Sequence, residues 1–157
     1  MCIRFRSTWV LLAFFALFQG CTDTGSVQDS GTGSDEIIGV VHDFFQALEA
    51  REDFRLSTLL HPQASLVRID ARGDTLNVTP IRSEDWLASI AGEGPALVER
   101  MYDPVVEHSE ALASVWTYYD FHIGEELSHC GHDAIQLVKE EGRWQILGVT
   151  YTIVSCP

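Results

Sequence analysis

The stretch Tyr118–Thr152, YYDFHIGEELSHCGHDAIQLVKEEGRWQILGVTYT, decides the fold. It holds long runs rich in aromatic and β-branched residues, separated by short polar, glycine-bearing breaks, which is the pattern of consecutive antiparallel strands. A tight hairpin at EEGR sets Lys139 opposite Trp144 and Cys130 opposite Ile153. A turn centred on Glu125 and Glu126 sets Asp120 opposite Gly131. Side chains alternate between the two faces of a strand. In this register one face gathers Trp116, Tyr118, Asp120 and His122 with His129, Asp133, Ile135 and Leu137, and with Trp144, Ile146, Gly148 and Thr150. That face is apolar at one end and polar at the other, as a small-ligand pocket requires. The opposite face holds Tyr119, Phe121, Cys130, His132, Gln136, Leu147, Val149 and Tyr151. A one-residue slip would exchange the faces.

Upstream, LASVWTYYDFHI (112–123) and MYDPVVEH (101–108) extend the same meander. SLVRID and TLNVTPI flank ARGD as an earlier hairpin. Helical spacing precedes them: Ile37, Ile38, Val41, Phe44, Phe45 and Leu48 predict an amphipathic helix from the Ser34 N-cap to about Ala50. A shorter helix follows over about 52–60, ended by Pro62, and Ser83 caps a third, EDWLASIA. Helices in front and strands behind predict an α+β fold, with N-terminal helices packed on a curved antiparallel sheet.

The first 20 residues read as a secretory signal, with Arg4 and Arg6 before the apolar run WVLLAFFALF (9–18) and a small residue before Cys21. LFQGC resembles a bacterial lipobox, so Cys21 is the expected lipidation site. Plain signal cleavage nearby is the alternative. Residues 21–34, rich in Gly, Ser and Asp, read as a flexible tether, and residues 35–157 as one folded domain. The expected location is exported, periplasmic or at the cell surface, tethered by lipid. Without residues 1–20 the chain keeps eight basic and 23 acidic side chains, a net charge of −15. Such a surface repels nucleic acid, which is excluded as a partner. In an oxidising compartment Cys130 and Cys156 are a candidate disulfide.

The order helix, helix ending in LLHPQA, hairpin, short helix and meander resembles the nuclear transport factor 2-like superfamily. VVHDFFQALEAREDFRLSTLLHPQASL (40–66) and the 118–152 stretch are similar to its provisionally labelled lumazine-binding branch. The resemblance covers about residues 35–154 and implies a cone-shaped, cystatin-like fold with a pocket between sheet and helices. The branch label does not carry lumazine binding with it, and the superfamily mixes dehydratases, isomerases, hydrolases and binding modules.

Asp133, Asp120 and His129 are the candidate catalytic residues. A carboxyl on an apolar floor has its charged form disfavoured, which moves its pKa toward proton-transfer range. Trp116, Tyr118, His122, Trp144 and Thr150 are candidate ligand contacts. Asp120, His122 and His129 lack a compact metal-ligand spacing, so no metal and no cofactor is assigned. Three readings follow. The first is a lipid-anchored module binding a small organic molecule or a partner protein. The second is a pocket enzyme, a dehydratase or isomerase with an aspartate base. The third is a structural domain that dimerises through Tyr119, Phe121 and Tyr151.

Overall fold

The computed structural model describes residues 30–157. The expected signal, the lipidation site Cys21 and most of the tether lie outside them. Helix α1 (Ser30–Glu49) begins four residues before Ser34 and turns Ile37, Val41, Phe44, Phe45 and Leu48 inward. Helix α2 (Asp53–Leu59) is short, and the chain leaves it directly into strand β1 (Leu60–Asp70), which carries Pro62 near its start. Strand β2 (Asn77–Arg82) and helix α3 (Ser83–Ile90) follow. The meander is β3 (Leu97–His108), β4 (Leu112–Ile123), β5 (Glu126–Glu140) and β6 (Arg143–Ile153).

The six strands form one unclosed sheet in the order β2-β1-β6-β5-β4-β3. The β1–β6 pair is parallel. The sheet is therefore mixed, where an antiparallel one was expected, because the chain returns to β6 only after the whole meander is laid down. Helices α1, α2 and α3 cover the concave face, and α1 packs chiefly on β3. The core joins α1 to the inward residues of the sheet, among them Leu66, Val115, Ile135, Leu137, Trp144 and Ile146.

Two β-bulges decide which side chains reach that core. The β5–β6 hairpin closes at Glu141 and Gly142, both with positive φ as a two-residue hairpin turn requires. It pairs Lys139 with Trp144. Leu147 then has no partner, and beyond it Asp133 faces Tyr151. The β4–β5 turn centres on Gly124 and Glu125, one residue earlier than expected. Ser128 is then left unpaired, so Asp120 faces Cys130 and Tyr119 faces Gly131. An extra residue in one strand reverses the inside-outside assignment beyond it relative to the other.

Candidate functional site

The bulge at Ser128 turns the odd-numbered residues of β4 inward. Trp116, Tyr118, Asp120 and His122 therefore lie on the outer face, away from Asp133. Trp116 is 53% exposed and stacks on His132, which also meets the edge of Tyr118. Asp120 accepts a hydrogen bond from Tyr102 Oη at 2.6 Å and sits 3.3 Å from His122 Nδ1. It cannot serve with His129, which belongs to the inner face. The bulge at Leu147 likewise sends Thr150 outward and brings Tyr151 in. Trp144 is inward but belongs to the packed core. Tyr119, Phe121 and Tyr151 line the interior, so they do not offer the dimer surface expected of them.

The inner face opens into a cavity of about 540 Å³ between the sheet and the helices. Phe44 and Trp86 form one wall, stacked at 5.5 Å between ring centroids. Leu66, Ile81, Leu97, Phe121, Val149 and Ile153 supply most of the remaining apolar lining. Arg51 donates hydrogen bonds to the carbonyls of Ile90 (2.9 Å) and Pro95 (2.8 Å), tying the α3–β3 connection beside the cavity.

Into this apolar space project two carboxyl groups. Asp133, on β5, is 1% exposed, and no N–H or hydroxyl reaches either of its oxygens. The neighbour that does reach it is the carboxyl of Glu99, from β3. Two carboxyls can hydrogen-bond only while one of them carries a proton. Burial pushes Asp133 up to about 7. Burial first, and then Asp133 itself, hold Glu99 well above the ordinary glutamate value. At neutral pH the pair thus shares a proton, with one member ready to accept and the other to donate.

His129 is also at the cavity, stacked on Phe121 at 4.9 Å and edge-on to Tyr119. Burial and the nearby Arg72 push its pKa down. Tyr119 lies across Gly131 and donates to the carbonyl of Thr152 at 2.6 Å. A Cβ at position 131 would collide with that carbonyl, so only glycine fits there. Cys130 and Cys156 are joined by a disulfide, with Cα atoms 5.1 Å apart, which fastens the C-terminal tail behind the site.

Glu99 and Arg68 were not among the residues singled out from sequence, and Tyr151 was placed on the outward face. Glu99 alternates with Leu97 and Met101, a pattern that would have placed it inward had the strand been begun before Met101. Arg68 alternates with Leu66, but Val67 and Ile69 make the other face equally apolar, so the pattern does not choose.

No protein-family model and no curated protein matches the sequence. Solved structures do match the fold. An NTF2-like protein from Cytophaga hutchinsonii superposes with a TM-score of 0.64 at 14% identity, over 76% of this chain and 97% of that one. A candidate dehydratase of the NTF2-like family from Streptomyces avermitilis gives 0.61 at 14%, over 80% and 98%. A candidate scytalone dehydratase from Novosphingobium aromaticivorans gives 0.57 at 12%, over 76% and 82%. With helices leading into a curved, unclosed mixed sheet of six strands, the chain has the NTF2-like, cystatin-like fold.

Proposed function

We propose that this protein moves a proton on a small organic molecule held in the cavity, with Glu99 and Asp133 as the acid–base pair. The observation that carries the reading is Asp133, buried beside an open cavity with no N–H or hydroxyl donor on either oxygen and only the Glu99 carboxyl to share a proton with. Burying such a group without a cation to balance it costs several kcal/mol unless it stays neutral. A site that only bound an apolar ligand has no use for that arrangement. A proton-transfer site does, because a base works best when its pKa lies near the working pH.

The ionised member of the pair takes a proton from a carbon next to a carbonyl. The protonated member gives its own proton to the carbonyl oxygen, and an enol forms with no net change in the pair's charge. Returning a proton to a different carbon is an isomerisation. Loss of a β-hydroxyl as water, protonated by the carboxyl that took the carbon-bound proton while the enol O–H returns its proton to the other carboxyl, is a dehydration and restores the pair. His129, held low and stacked on Phe121, is placed to accept a hydrogen bond as a neutral imidazole.

Solvent exchange tests the reading. In deuterium oxide at neutral pH, proton NMR would follow the α-hydrogens of 2-tetralone and related cyclic ketones. Wild-type protein is expected to speed their loss, and Asp133→Asn to lower that rate by roughly 100-fold or more. Equal rates for the two proteins on every ketone would refute it.

We also infer export, supported by the signal-like N-terminus and by the Cys130–Cys156 disulfide, a bond that persists in oxidising compartments. Radiolabelled palmitate incorporated by wild type and not by Cys21→Ala would support the lipid anchor, and incorporation by neither would count against it.

A further inference from the structure

We infer that the cavity takes an organic carboxylate, with Arg68 holding the carboxylate group while the acid pair works at the far end of the same molecule. The inference rests on the proton-transfer reading for what happens at that far end, but the anion site stands on separate observations.

Arg68 lines the cavity from β1. Its Nε is buried with no hydrogen-bond partner, and it makes no ion pair among the described residues. The acid nearest in sequence on the same face, Asp70, is engaged by the Arg72 guanidinium through two hydrogen bonds, at 3.0 and 2.6 Å, and by the Arg72 backbone N–H through a third. A guanidinium carries a fixed positive charge and five donors in a planar fork. Leaving part of that fork dry and unpaired is unfavourable, and a bound anion would relieve it. The carboxyls that line the same pocket, Asp85, Glu99 and Asp133, form no ion pair with Arg68 among the described residues.

The register places this cation in line with the acid pair. Arg68 pairs with Tyr151 across the parallel β1–β6 ladder, and Tyr151 pairs with Asp133 across β5–β6. Cation, phenol and carboxyl thus stand in one transverse row on the concave face. Two strand spacings separate the outer members, roughly 10 Å between Cα atoms. A molecule with a carboxylate and an acidic C–H on opposite sides of a ring spans that gap. Phe44 and Trp86 offer the ring an aromatic wall.

The chemistry favours a carboxylate over a phosphate. The site offers the unpaired guanidinium of Arg68, an apolar lining, and a carboxyl pair that repels a second negative charge; the guanidinium of Arg51 is taken up by the carbonyls of Ile90 and Pro95. A planar monoanion matches the fork in two parallel hydrogen bonds and is the easier anion to desolvate.

Calorimetric titration tests the site. Benzoate, 4-phenylbenzoate and 2-naphthoate are each compared with the matching carboxamide, which has the same shape and no charge. In wild type at pH 6, at least one carboxylate is expected to bind ten-fold or more tighter than its amide. Arg68→Gln is expected to remove that preference while leaving amide affinity within about three-fold. Arg68→Lys, which keeps the charge but not the fork, is expected to retain part of it. No carboxylate preference in wild type across the set, non-binding included, overturns the assignment. So does a preference that survives in Arg68→Gln. Binding is read without turnover. A preference lost in Arg68→Gln therefore supports the anion site even if ketone exchange fails, and its absence overturns the site even if exchange succeeds.

Discussion

Replacing Asp133 with asparagine keeps the shape of the side chain and removes its charge, which isolates the cost of burying that carboxyl. In the unfolded chain the group loses its proton near 3.8, whereas in the folded protein it holds the proton up to about 7. Between those values the folded state binds more protons, so its stability falls as pH rises through that window and then levels off. The full shift corresponds to at most about 4 kcal/mol, shared with Glu99. Asp133→Asn should therefore raise the melting temperature at pH 8 by about 5–10 °C and change it little at pH 4. Circular dichroism melts at the two pH values check this. A variant destabilised equally at both would mean that the aspartate is comfortable where it is. Asp133 itself was legible in the sequence as an acid in an apolar alternation. Its partner Glu99 was not, because pairing across β4 depends on how β3, two strands away, is bent.

At the scale of elements, strand and helix positions were readable and the inward face of β4 was not. The apolar period of α1 and the glycine-bearing turn at Glu141–Gly142 follow from local chemistry, and both are present. The bulges at Ser128 and Leu147 are single-residue insertions into otherwise regular ladders. Neither residue type marks a bulge, so alternation counted out from the turns runs true on β5 and fails on β4 and the far half of β6. That is why Trp116, Tyr118, Asp120, His122 and Thr150 were grouped with Asp133 and lie on the other side of the sheet. The C-terminal tail shows the opposite case, where one covalent bond outweighs pattern. Cys130 pairs through its backbone with Val154, and the disulfide to Cys156 closes a loop with a sequence separation of 26. Loop-closure entropy puts its contribution at about 3 kcal/mol. Cys156→Ser should lower the melting temperature by roughly 10 °C. Dithiothreitol should do the same to wild type and nothing further to the variant. If reduction leaves the wild-type melt unchanged, the tail adds no stability through this bond.

The molecule as a whole is acidic, and its field opposes the attraction of Arg68 in the cavity. Residues 30–157 carry eight basic and 21 acidic side chains, a net charge of −13. That imbalance was plain from composition. The position of Arg68 was not, since it follows from the parallel β1–β6 pairing, a contact between strands more than 70 residues apart in the chain. Two fields thus act on an arriving carboxylate. The guanidinium attracts it over a few ångströms inside the cavity, where salt penetrates poorly. The acidic surface repels it over the screening length, about 30 Å at 10 mM salt and about 10 Å at 100 mM. Repulsion governs the approach, because at low salt the screening length matches the size of the whole domain. Association of 2-naphthoate, followed by stopped-flow fluorescence, should therefore quicken by about two- to five-fold between 10 and 300 mM sodium chloride, while 2-naphthamide is unaffected. An association rate that falls with salt would mean that the mouth presents positive charge to the approaching ligand, with Arg51 and Arg68 outweighing the surrounding carboxylates.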